Sequence, residues 1–193
     1  MPKSWYSVKA KGGGAAEVLI YDEIGAWGVS AKQFARDVKD LGNVSQIDLR
    51  INSPGGSVFD GNAIYNQLKQ HPARVVVHVD GLAASMASVI AMAGDHIVMP
   101  ENALMMIHNP WTVSIGNAED LRKDADLLDT IKTTLLKAYG RSMMTDDEIS
   151  EMMDAETWLT GADAVDMGFA DELEQEVAMA ACAKFEQLAQ FNK

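Results

Sequence analysis

A single cysteine, Cys182, stands in 193 residues, so no disulfide can close within the chain, and such usage suits a reducing compartment. Basic residues are sparse. Against 28 Asp and Glu there are 16 Lys and Arg, a net charge of -12, which argues against a nucleic-acid surface because phosphate contacts need clustered cations. The plain use of that charge is solubility through mutual repulsion. The four histidines, His71, His78, His96 and His108, show no His-x-x-x-His spacing and have no Cys-x-x-Cys beside them, so no metal site is expected. No uninterrupted apolar run approaches ~18 residues, so no membrane partner is expected. A charged n-region followed by an apolar h-region is also missing, and an intracellular location is expected. Neither Gly-Lys-Ser/Thr nor a well-spaced Gly-x-Gly-x-x-Gly occurs, which leaves no phosphate cradle and no expected cofactor.

What is present suits one domain with a real core: 48% of residues are hydrophobic and 23% charged. Residues 1–16 read as a flexible lead-in ending in "KGGGAA", residues 17–173 as the domain, and residues 174–193 as an exposed helical tail. Within the domain, "EVLIYDEI" alternates as a strand. "SAKQFARDVKDLG" opens on a capping serine, Ser30, sets Phe34, Val38 and Leu41 on one helical face and stops at Gly42. "SQIDLRIN" is the next strand, interrupted by "SPGGS". "FDGNAIYNQLKQH" has helical spacing, and "ARVVVHVD" is a β-branched run of the kind buried on both faces.

After "GLAASMAS" the apolar "VIAMAG" reads as a buried helix, then "HIVMP" and "ALMMIHN" as two short strands. Residues 118–139 place Leu121, Ala125, Leu128, Ile131, Leu135 and Ala138 on one face of a long amphipathic helix, and Thr145 with Glu148 forms a capping box. Strand and helix alternate four times, which predicts an α/β fold with a mainly parallel sheet and right-handed crossovers.

Chemistry in such folds collects at the carboxyl ends of strands, where "SPGGS" and "GLAASMAS" both fall. Consecutive glycines let a backbone approach a ligand and turn its N–H groups outward. The remaining uses of the glycine loop are an oxyanion hole for acyl transfer or a structural turn. Ser85, at a strand-to-helix turn among the small Ala83, Ala84 and Ala87, has the placement of a nucleophile; the competing use is a helix cap. Ser88, one turn further on, reads as a packing residue. His108, at a strand end before Asn-Pro, is the best-placed base, while His71, His78 and His96 read as structural or exposed.

Taken in order, "INSPGGS" (Ile51 to Ser57), "GLAASMAS" (Gly81 to Ser88), "MMIHNP" (Met105 to Pro110) and "ETWLTGADAVDMGFAD" (Glu156 to Asp171) resemble the motifs of the ClpP family of serine peptidases, across residues 17–173. The resemblance implies ClpP/crotonase-type repeated β-α units with a protruding handle helix, a polypeptide substrate and a homo-oligomeric ring or stacked pair of rings, the handle being where rings of the family stack. It makes Ser85 the nucleophile, His108 the general base, and the N–H groups of Gly56 and Met86 the oxyanion hole. The family's third member is an Asp; Glu156 occupies its place here, with Asp154 as the alternative.

The opening "YDEIG…GVSA" is similar to the ClpP-like head-maturation (prohead) proteases of tailed phages and prophages, which cut scaffold and capsid proteins. The expected branch is therefore a maturation protease in a bacterial cytoplasm. The alternative is a housekeeping ClpP subunit working with an ATPase unfoldase, from which the lead-in "SWYSVKAKGGGAA" departs by lacking the longer N-terminal segment. Two other classes remain. A crotonase-like acyl-CoA enzyme would want an acidic pair and a nucleotide pocket for which no motif is present. An inactive assembly subunit is opposed by the intact Ser85 and His108.

Overall fold

Side-chain alternation decides which face of each strand is buried. The computed structural model describes residues 4–26 and 30–174. β1 (Tyr6–Lys11) and β2 (Ala15–Ile20) are an antiparallel hairpin, turning through Gly13 at φ 77° and Gly14 at φ 81°. The segment expected as a loose lead-in is thus part of the sheet. Its anchors are aromatic: Trp5 is fully buried and stacks on Phe34 with ring centroids 6.0 Å apart, and the Tyr6 hydroxyl donates to Asp37 at 2.7 Å.

α1 (Ala31–Asp40) carries Phe34 and Val38 into the core. Ser30 occupies its N-cap position without a side-chain bond; the Ala31 N–H is taken by the Asp60 carboxylate at 2.8 Å instead. β3 (Gln46–Ser53), α2 (Val58–Lys69), β4 (Arg74–Ala84), α3 (Met86–Ala91) and β5 (His96–Pro100) continue the alternation, and β2 through β5 lie side by side, parallel, in chain order. Ile47, Leu49 and Ile51 of β3 and Val75, Val77 and Val79 of β4 point into one core.

The run expected to be buried on both faces is buried on one. Asp48, Arg50, His78 and Asp80 share the other, half-buried face, where Arg50 Nε donates to Asp80 at 2.8 Å and the Tyr21 hydroxyl donates to the same carboxylate. Charged groups of this kind keep contact with water, so a β-branched strand here still has a wet side.

β6 (Leu104–Ile107) pairs with the end of β4 over Leu82–Ala84, whereas β5 pairs with its middle over Val76–His78. β4 therefore forks. α4 (Ala118–Ala138) is the long helix expected, and it buries only Leu135 and Ala138; Leu121 and Leu127 are about half exposed, at 45% and 50%. α5 (Asp146–Asp154) starts with the expected Thr145–Glu148 capping box. β7 (Thr157–Thr160) runs antiparallel to β6, α6 (Gly161–Asp166) follows, and β8 (Glu172–Glu174) closes the sheet against β5. The tail expected as a helix lies outside the described residues apart from Glu174, which is in β8. No helix among the described residues is long and apolar enough to cross a membrane.

Candidate active site

Ala84 of β4 lies beside Met106 of β6 in a parallel pair, so the residues that follow both strands leave the sheet at the same end. The Ser85 N–H donates to the Met106 carbonyl at 2.9 Å. His108, two residues beyond Met106, brings its Nε2 to 2.8 Å from the Ser85 Oγ. For Nε2 to accept that hydroxyl proton, the ring carries its own proton on Nδ1.

Ser85 holds φ 54° and ψ -126°, a conformation that L-residues persist in only where the surroundings enforce it. It stands at the N-cap of α3 without making a side-chain cap bond, so its hydroxyl is committed to His108 rather than to the helix.

The glycine loop is pressed against this serine. Gly55 and Gly56 have φ of 98° and 142°. A Cβ at Gly55 would lie 2.7 Å from the Ser85 Cβ, and one at Gly56 would lie 2.3 Å from the Ile24 carbonyl oxygen. Only glycine permits either approach. The Ile24 N–H donates to the Gly55 carbonyl at 2.7 Å and its carbonyl accepts from the Ser57 N–H at 3.0 Å. Because Ile24 bonds the residues on either side of Gly56, the N–H of Gly56 itself faces away from Ile24. The buried Ser53 pins the loop: its hydroxyl donates to the Asp22 carbonyl at 2.7 Å and accepts from the Gly55 N–H at 3.2 Å.

Gly55, Gly56, Ser85, Met106, His108 and Trp111 line a cleft of about 360 Å³. A second hollow of about 370 Å³ adjoins it, sharing Val58, Pro110 and Trp111 and lined further by Phe59, Leu127 and Ile131. No group of His, Cys, Asp or Glu among the described residues has the geometry to hold a metal ion.

A family model described as Clp protease matches residues 18–177. Proteolytic subunit 1 of the ATP-dependent Clp protease of Leifsonia xyli is 33% identical over 139 residues, covering 70% of each chain. Subunit 2 of Tropheryma whipplei is 34% identical over 134 residues, covering 67% of this chain and 74% of its own. Subunit 3 of Streptomyces coelicolor is 32% identical over 161 residues, covering 81% of this chain and 73% of its own. The chain belongs to the Clp protease family. It is a serine-type peptidase with the ClpP-like α/β fold expected from its motifs.

In this Clp protease neither candidate acid, Glu156 or Asp154, is bonded to His108. The last pair between β6 and β7 is Ile107 with Thr157, which makes Glu156 the next residue opposite His108. Glu156 holds φ 49°, and its exposed carboxylate accepts a bond from the Trp158 indole at 3.4 Å. Asp154 accepts from the Asn109 amide at 2.7 Å and from Lys132 at 2.6 Å, and these two donors hold its carboxyl below the usual range. Among the described residues no carboxylate is bonded to His108. The other histidines are elsewhere: His71 accepts from the Ala73 N–H, His96 meets Glu172, and His78 sits within β4.

Ser88 is fully buried, as a packing residue would be, but its hydroxyl is engaged: it donates to the Ser85 carbonyl at 2.6 Å and meets the Tyr139 hydroxyl at 2.8 Å. The signal for the first contact was available, since a serine inside a helix reaches the carbonyl one turn back. Nothing in the spacing pointed to Tyr139.

Proposed function

We propose that the chain is a Clp-type proteolytic subunit, an endopeptidase that cleaves polypeptides with Ser85 as nucleophile and His108 as general base. The observation that carries this reading is the 2.8 Å contact between Ser85 Oγ and His108 Nε2. Ser85 Oγ bonds to the peptide carbonyl carbon while its proton passes to His108; the carbonyl oxygen becomes an oxyanion held by the N–H groups of Gly56 and Met86. Collapse of that intermediate expels the amine, which takes the proton back from His108, and water repeats the sequence on the acyl-enzyme. Glu156 is the orienting acid of this reading, supported by the β6–β7 register that makes it the next residue opposite His108. Its carboxylate leaves the Trp158 indole for the imidazole Nδ1–H when the triad is formed.

The names of the relatives, ATP-dependent proteolytic subunits, favour a housekeeping-type subunit over the capsid-maturation branch. We accordingly assign a polypeptide substrate delivered by an ATPase unfoldase, a homo-oligomeric ring and a cytoplasmic location. A fluorophosphonate probe should label the wild-type chain and not Ser85→Ala, and short fluorogenic peptides should be cleaved only by the former. An Ala variant that cleaves at the wild-type rate would end the serine-peptidase reading of Ser85. Adding an unfoldase ATPase with ATP should permit degradation of a folded, tagged substrate; release of one defined fragment from a capsid or scaffold protein without ATP would favour maturation instead.

A further inference from the structure

Behind Ser85 lies a chain of hydroxyls, Ser88 and Tyr139, to which the proposed nucleophile, base and oxyanion donors assign no role. The Ser85 carbonyl accepts three bonds: from the Ser88 N–H at 3.0 Å, the Val89 N–H at 3.3 Å and the Ser88 hydroxyl at 2.6 Å. A serine hydroxyl has one proton, and Ser88 gives it to that carbonyl, so the Tyr139 hydroxyl is the donor in the 2.8 Å contact with Ser88. Tyr139 is 1% exposed, and burial raises its phenol well above the ordinary value, more than the bond to Ser88 lowers it; it remains a donor throughout the working pH range.

The carbonyl of Ser85 and the N–H of Met86 belong to one planar trans peptide, so they point in opposite directions. Whatever fixes the carbonyl also aims the N–H. The Ser85 ψ of -126° sets the tilt of that plane, and such a backbone conformation relaxes unless neighbours hold it.

We propose that Ser88 and Tyr139 are positioning residues: they lock the Ser85–Met86 peptide so that the Met86 N–H is aimed at the oxyanion of the reacting carbonyl. The inference rests on the proposed roles of Ser85 and Met86. It adds that the aim of one oxyanion donor is set from outside the cleft, by a tyrosine that follows the long helix α4. Neither residue lines the cleft, and neither is hydrogen-bonded to His108.

Removing an oxyanion donor outright costs about 10²–10³ in turnover, so loosening one costs less. In the full-length chain Ser88→Ala is expected to lower kcat on a fluorogenic peptide about tenfold with KM unchanged, and Tyr139→Phe about threefold. Inhibition by a peptide aldehyde, which adds to Ser85 Oγ and leaves its oxygen in the same hole, should weaken by the same factors. Because Tyr139 acts through Ser88, the double variant should be no slower than Ser88→Ala; two separate packing defects would multiply.

Ser85→Ala is assayed alongside. If it stays active, the reading of Ser85 falls and the inference with it. If it is inactive while Ser88→Ala and Tyr139→Phe keep wild-type kcat and aldehyde affinity, or change only KM, the positioning role alone is overturned. Should Ser88→Ala fail to fold by circular dichroism, Tyr139→Phe decides on the same kcat and aldehyde criteria.

Discussion

His108 follows Ile107 and Glu156 precedes Thr157, the last rung of the β6–β7 ladder, yet the Glu156 carboxylate is turned to the Trp158 indole rather than to His108. On the proposed reading this exposed carboxylate has to leave Trp158 for the His108 ring to complete a triad. Asp154, by contrast, is already held by Asn109 and Lys132.

Glu156→Gln should therefore remove most peptidase activity while leaving the fold intact; loss of the orienting acid in a trypsin-like triad costs about 10⁴ in turnover. Asp154→Asn should be mild, within about threefold, since its bonds tie surface elements together. Steady-state kinetics on one fluorogenic peptide rank the two. The opposite ranking moves the acid to Asp154, and no loss in either variant makes the enzyme a Ser-His dyad.

Gly55→Ala tests the loop. Its Cβ would sit 2.7 Å from the Ser85 Cβ and from the Ala84 carbonyl oxygen, so backbone must shift at Ser85. A displacement of about 1 Å at reacting atoms costs on the order of 10²-fold, and a loss of that size in kcat/KM is expected. Wild-type kinetics in this variant would mean that the loop moves without disturbing Ser85.

Assembly follows from what α4 leaves uncovered. Trp111, Val113 and Ile115, in the segment leading to it, are 72%, 80% and 96% exposed, and Leu121 and Leu127 add to the apolar surface. Trp111, Val113 and Leu127 line one hollow, and exposed apolar surface of that kind marks a contact. Sedimentation should find a ring or stacked rings, and Ile115→Lys with Leu121→Lys should shift the chain toward smaller species with reduced activity. A fully active monomer at micromolar concentration would contradict this expectation.

Stability should depend on pH through Asp171. Burial pushes its carboxyl up, but the Arg141 guanidinium at 2.8 Å and the Ile97 N–H at 2.7 Å outweigh that and hold it below the usual value. A carboxyl depressed on folding contributes stability above its unfolded pKa, and the contribution disappears as pH falls through the folded value. Asp171→Asn should thus lower Tm near neutral pH, by on the order of 2–4 °C given its partial exposure. The gap to wild type should close as pH falls through the folded value, below the ordinary aspartate range. A constant gap across that range would show that the charge of Asp171 does not matter.

Most of the fold was legible because its signals are local. The β-branched run at Val75 to Val79, read as a strand though not as a one-sided one, the stop at Gly42 and the Thr145–Glu148 box each act within a few residues. Ser85, His108 and the glycine loop were legible as motif residues at strand ends, and the register of β4 with β6 brings the first two together. What escaped depends on partners distant in the chain. Glycines at 12–14 suggested slack, because nothing local reveals that Trp5 and Tyr6 anchor the hairpin on α1. The wet side of β4 is marked by its own His78 and Asp80; what lay hidden is that Arg50 and Tyr21, from two other segments, meet Asp80 there. Ser88 looked like filler because its second partner, Tyr139, is far away in sequence.

The fork in β4 gives the end of the sheet that carries Ser85 and His108 a short ladder of its own. Leu82 to Ala84, with the Ser85 N–H on the Met106 carbonyl, pair the β6–β7 ribbon to β4, while the middle of β4 is paired on both sides. The ribbon is held by side chains as much as by that ladder, since Met105, Ile107 and Leu159 are buried in the core. Repacking beneath those three side chains would therefore move His108 relative to Ser85 while the parallel register of β2 to β5 stayed as it is.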